Sequence, residues 1–141
     1  MSIPPHIQNL KKHLLDAIQP GDDIAAVYLF GSFLKRTPKG TSDVDLAFLV
    51  DEKHYVADPV RATSPAYIIA ARVGMALDME TDVTILNSSS LEIAYEVITT
   101  GRCLHNTDND RRLEYECKIR GMYFDFKPFI MELRSNRLNR I

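Results

Sequence analysis

Cysteine is scarce in this 141-residue chain, which holds only Cys103 and Cys117. Two thiols so far apart exclude a zinc ribbon or a redox pair, and both are expected to be free, buried or half-buried. Long hydrophobic runs are missing as well. The longest, Ile24 to Phe30, falls far short of the roughly 20 residues that a membrane-spanning helix needs. The start, Met1-Ser2-Ile3-Pro4-Pro5, carries no basic region followed by an apolar stretch, so no secretion signal is expected and the cytoplasm is the expected location. A basic excess is also absent. The net charge of −2 argues against direct nucleic-acid binding, which needs a cationic footprint. Arg134, Arg137 and Arg140 form a local basic stripe that reads as a solvated helix face. His6, His13, His54 and His105 share no metal-ligand spacing, and no repeat, low-complexity segment or linker interrupts the chain.

What is present is ordinary for a folded domain: 45% apolar and 26% charged residues, in a length that suits one domain over 1–141. Ile7, Leu10, Leu14 and Ile18 recur at helical spacing until Pro20-Gly21. Ile24 to Phe30 reads as a buried strand ending at Gly31-Ser32. Phe33 to Thr41, with Lys35, Arg36, Pro38, Lys39 and Gly40, reads as a basic loop. Asp43 to Val50 reads as a second strand. Alternation puts Asp43, Asp45, Ala47 and Leu49 on one side, and Val44, Leu46, Phe48 and Val50 on a core side.

A loop is expected over 51–63, then a helix with Ser64 as N-cap, Pro65 at its first position and Ile69, Val73 and Leu77 buried. Thr81 to Leu86 reads as a third strand. Ser89 and Glu92 have capping-box spacing for a helix closed by Gly101. Arg102 to His105 can add a short edge strand. A terminal helix is expected from Thr107–Asp110, kinked or ended by Pro128. The tyrosines suit core and half-buried positions. The fold class is therefore α/β (α+β), a small mixed sheet flanked by helices, with its core over about 24–104 and the terminal helix over about 107–127.

Three features carry chemistry. Glycine in Gly31-Ser32 lets the backbone approach a ligand, and the serine hydroxyl and following amides can donate to phosphate oxygens. Asp43 and Asp45 place two carboxylates on one strand face, where their repulsion favours a cation; Mg²⁺, a hard ion held by carboxylates and substrate phosphates, suits them. Asp82 opens another strand and can join them if the strands are neighbours. Three carboxylates around one point suit two-metal phosphoryl or nucleotidyl transfer, with Asp82 both a ligand and a proton acceptor.

Gly31-Ser32, ten residues, then Asp43-Val44-Asp45, with a third Asp in Thr81-Asp82-Val83-Thr84-Ile85-Leu86-Asn87, resembles the signature of DNA polymerase β-type nucleotidyltransferases. The motif covers roughly 24–87. The remainder, including Gly101-Arg102-Cys103-Leu104 and Tyr123-Phe124-Asp125-Phe126-Lys127-Pro128, resembles the minimal nucleotidyltransferase antitoxins. The resemblance implies that Asp43, Asp45 and Asp82 hold two Mg²⁺ ions and that Gly31 and Ser32 cradle the triphosphate of ATP. One departure stands out: Arg36 occupies a position where relatives usually have glycine. Lys35, Arg36 and Lys39 are either phosphate-neutralising or solvated.

Larger members of that superfamily carry an added helical domain that grips the acceptor, and little of this chain lies beyond a catalytic core. The implied acceptor is a protein, a cognate HEPN-domain RNase toxin. The implied reaction moves AMP onto one of the toxin's tyrosines and silences it. The expected docking surface is the exposed remainder of the sheet and the terminal helix. Transfer to a small hydroxylated molecule such as an aminoglycoside, and a binding-only antitoxin without catalysis, are the alternatives.

Overall fold

The computed structural model describes residues 3–35 and 43–139. Its centre is a four-stranded mixed sheet made of β1 (Ile24–Phe30), β2 (Val44–Val50), β3 (Thr81–Ile85) and β4 (Arg102–Asn106), in the order β3-β2-β1-β4. β1 runs antiparallel to both β2 and β4, whereas β2 and β3 are parallel. Parallel pairing needs a long crossover, and the chain supplies one between β2 and β3.

Helices cover both faces. α1 (Pro5–Ala17) and α4 (Pro59–Leu77) lay Ile7, Leu10, Leu14, Ile69 and Val73 over the strand face that carries Val44, Leu46, Phe48 and Val50. That half of the expected alternation is observed. The opposite face carries Ala47 and Leu49, which pack with Ala94, Val97, Ile98, Tyr115 and Ile119. These belong to α5 (Leu91–Thr100) and α6 (Asn109–Asn139). Helices thus pack on both faces of the sheet, while Asp82 on β3 stays exposed. The exposed large apolar side chains are on helices, Val60 and Met75 of α4 and Phe124, Phe129, Met131 and Leu133 of α6 among them.

Several boundaries differ from the sequence reading, each for a local reason. The expected 51–63 loop contains α3 (Glu52–Ala57) and the first turn of α4. Asp51 caps α3 by accepting from the His54 amide at 3.1 Å, and Asp58 caps α4 through the Arg61 amide at 3.2 Å. Pro59, not Pro65, takes the first position, where a missing N–H costs nothing. Ser64 is not the cap. Its hydroxyl donates back to the Val60 carbonyl at 2.7 Å, and Pro65 lies inside the helix. An internal proline costs about 3 kcal/mol or more; the burial of Ala66, Ile69, Ala70 and Val73 just beyond it opposes that cost.

Ser90 rather than Ser89 caps α5, accepting from the Ile93 amide at 3.2 Å. Thr107 stays with the sheet, its hydroxyl donating to the Ile24 carbonyl at 2.7 Å, and α6 starts two residues later behind the Asp108 cap. Pro128 neither ends nor divides α6; beyond it, Arg134 meets Glu92 of α5 at 2.9 Å. After Gly31, Ser32–Lys35 forms a helical turn, α2, because Phe33 turns inward and is buried. Arg36, Lys39 and the rest of 36–42 lie outside the described residues, as does the side chain of Lys35. Cys103 is half-buried as expected, but Cys117 is exposed. Tyr67 is likewise exposed rather than part of the core.

Candidate active site

Asp45 is the second residue of β2, a strand with a neighbour on each side. Across the parallel pair its Cα partner is Asp82, and across the antiparallel pair it is Phe30, the last residue of β1. Gly31 follows immediately at φ +80°, a region that L side chains rarely adopt. A Cβ there would also collide with the Asp45 carboxylate. Glycine is thus required twice, by the turn and by the carboxylate beside it.

The sheet brings together what the sequence separates. Asp43 stands just before β2, Asp45 within it and Asp82 on β3, next to the Gly31–Ser32 turn where α2 begins. Strand alternation puts Asp43 and Asp45 on the side of Ala47 and Leu49, the side that α5 and α6 cover. Asp43 and Asp45 are half-buried, whereas Asp82 and Ser32 are exposed. The edge is therefore open to a ligand.

Electrostatics single out Asp45. Its pKa lies above the ordinary carboxylate value, first because burial disfavours the charge and then because Asp82, Asp43 and Glu96 repel it. Glu96, on α5, is a fourth carboxylate that the sequence reading did not single out. No motif marks it, since only the packing of α5 on the sheet brings it near.

Three carboxylates on one edge, with Asp45 raised by burial and then by its neighbours, would gain from a positive charge between them. Among the described residues, no group of three or more His, Cys, Asp or Glu side chains is placed to hold a metal ion by itself. The arrangement is an open carboxylate edge. A cavity of about 630 Å³ lies elsewhere, lined by Asp23, Val50, Asp51, His54 and Arg61. It sits where β1 begins and β2 ends, away from the three carboxylates.

Known proteins resemble this chain in sequence and in fold. The chain matches the family described as "Polymerase beta, Nucleotidyltransferase" over residues 12–110. It is 32% identical over 97 residues to protein adenylyltransferase MntA of Shewanella oneidensis. That match spans 69% of this chain and 64% of the relative. Among solved structures, a toxin–antitoxin crystal structure with AMP-PNP superposes with a TM-score of 0.67 at 24% identity, covering 96% of this chain and 99% of the other. A complex of the tri-AMPylated Shewanella oneidensis HEPN toxin with its MNT antitoxin gives a TM-score of 0.63, also at 24% identity, covering 94% and 98%. At that identity, the structural likeness is one of fold.

Proposed function

Because the chain belongs to the polymerase beta nucleotidyltransferase family, we propose that it is a cytoplasmic antitoxin that transfers AMP from ATP to a tyrosine of a HEPN-domain toxin and thereby neutralises it. The observation that carries this reading is the pairing of Asp45 with Asp82 across β2 and β3, beside the Gly31 turn. Names of similar proteins support the acceptor, since they include a protein adenylyltransferase and an AMPylated HEPN toxin with its antitoxin. Exposed Phe124, Phe129 and Met131 on α6 suit an acceptor that docks as a protein.

Asp43, Asp45 and Asp82 are the residues that would hold two Mg²⁺ ions. Magnesium bound there would supply Lewis-acid charge for the triphosphate and make an attacking hydroxyl more acidic. The chain's own groups do the rest. The backbone turn at Gly31 and the Ser32 hydroxyl hold the phosphates. The acceptor's phenolic oxygen forms a bond to the α-phosphorus as the bond to the bridging oxygen breaks, and pyrophosphate leaves with that electron pair. Asp82, exposed at the edge, takes the phenolic proton.

The test is direct. A HEPN-domain protein incubated with this chain, ATP and Mg²⁺ is expected to gain the mass of AMP on a tyrosine, and an Asp43→Asn/Asp45→Asn double variant is expected to add none. If the double variant still neutralises the toxin as well as wild type at equal expression, the protein acts by binding alone. Turnover of purified aminoglycosides without any partner protein would instead move the acceptor to small molecules.

A further inference from the structure

We propose that His6 is a positioning residue for the phosphate-holding turn: its imidazole clamps the Phe33 carbonyl and so fixes the direction in which Ser32 and the neighbouring amides face. The role rests on the reading that Gly31 and Ser32 hold the triphosphate, and it adds what keeps them in place.

Gly31 is the pivot. Its φ of +80° is open to glycine, the residue with the most backbone freedom, so the turn that follows has to be held from elsewhere. Phe33 gives the first hold, its ring buried in the core that α1 and α4 cover. A buried ring alone leaves the backbone free to roll about the side chain. His6 gives the second hold. Its Nε2 donates to the Phe33 carbonyl oxygen at 3.1 Å, across 27 positions of sequence. A carbonyl oxygen only accepts, so Nε2 is the protonated nitrogen in this contact. The same imidazole stands edge-on to the Phe33 ring, with centroids 5.3 Å apart and planes at 66°, a favoured arrangement of two aromatic rings. With its ring and its carbonyl both fixed, Phe33 leaves little freedom to Ser32, which lies between it and Gly31.

The holder is itself rigid. His6 is half-buried in the first turn of α1, directly after Pro4 at the N-cap and Pro5 at the first helical position. Both prolines have a locked φ, and Ile7, Leu10 and Leu14 anchor the helix in the same core that takes Phe33. The clamp thus ties the phosphate-holding turn to a docked helix rather than to a loop. No spacing rule links His6 to the Gly31-Ser32 motif, because only the packing of α1 brings it there. A turn held in its binding shape loses less entropy on taking up a triphosphate than one that has to be ordered first. The contribution of His6 therefore falls on nucleotide affinity and not on the acceptor.

The experiment measures Mg²⁺-dependent binding of AMP-PNP to the chain alone, on one set of variants. His6→Phe keeps a ring against Phe33 but removes the donor, and is expected to weaken binding about fivefold. His6→Gln, whose side-chain amide can donate to the same carbonyl, is expected to recover most of that affinity. In transfer assays, His6→Phe should raise the KM for ATP by the same factor and leave the KM for a HEPN-domain acceptor unchanged. Ser90→Ala, which loses stability at the cap of α5, should bind AMP-PNP as wild type does. Wild-type affinity in His6→Phe overturns the proposal. An equal loss of affinity in His6→Gln or in Ser90→Ala overturns it as well, since binding would then follow overall stability and not the donated hydrogen bond. A wild-type chain that binds no AMP-PNP refutes the transfer reading instead, and the role of His6 with it.

Discussion

Gly31 and the Asp45 carboxylate occupy adjoining space so tightly that a single added carbon on Gly31 would overlap the carboxylate. Gly31→Ala therefore meets two obstacles, the +80° φ and the displaced carboxylate. The expected destabilisation is about 1–3 kcal/mol, read as a lowered Tm. Weaker Mg²⁺-dependent AMP-PNP binding should accompany it. A variant with unchanged Tm and unchanged binding would mean that the turn relaxes freely.

Asp45 gives a pH dependence with a definite sign. Its folded pKa is raised, chiefly by burial and then by Asp82 and Asp43. The folded state therefore holds that proton more tightly than the unfolded one. The associated stability is fully present below the ordinary carboxylate pKa and is lost as pH rises through the raised value. In metal-free buffer at neutral pH, Asp45→Asn is expected to melt higher than wild type while losing transfer. Added Mg²⁺ should raise the Tm of wild type but not that of the variant. Equal Mg²⁺ stabilisation of both would remove Asp45 from the metal site.

Beneath the site, Tyr28 donates to Glu116 of α6 at 2.7 Å, and Glu116 also meets Arg112 at 3.1 Å. Burial is the main reason that the Tyr28 hydroxyl stays protonated far above its ordinary range, with Glu116 reinforcing it. Tyr28→Phe leaves Glu116 short of a donor and should cost about 2 kcal/mol in urea unfolding. Loss of well under 1 kcal/mol would show that water or Arg120 replaces the hydroxyl.

Cap chemistry separates two adjacent serines. Ser90 accepts from the Ile93 amide, whereas the Ser89 hydroxyl turns to the Leu86 carbonyl at 3.4 Å. Ser90→Ala is expected to cost about 1 kcal/mol, and Ser89→Ala less than about 0.5 kcal/mol. Thermal melts of the two variants decide it, and the reverse order would restore Ser89 as the cap.

The same pair shows where the sequence stops being legible. Ser89 and Glu92 have the right spacing for a capping box, and Ser64-Pro65 has the right composition for a helix start. Asp51 and Asp58 nonetheless made two earlier caps, because several residues in such a stretch can serve and packing selects among them. Pro128 has a plain local meaning that α6 overrides. Intrinsic preferences of a few kcal/mol yield to the docking of a whole helix.

By itself, the sequence determined the apolar stripes of α1 and α4, three of the four strands, and the sharing of one face of β2 by Asp43 and Asp45. Each of those follows from a period of 3.6 or 2 within a few residues. Only the tertiary structure decided that Asp82 pairs with Asp45, that Gly31 adjoins the same carboxylate, and that Glu96 comes near from α5. Periodicity is a property of one segment. Strand order, register and helix placement depend on hydrogen bonds and packing between segments far apart in the chain, so the three-carboxylate edge was a condition in the sequence and became a geometry only in the sheet.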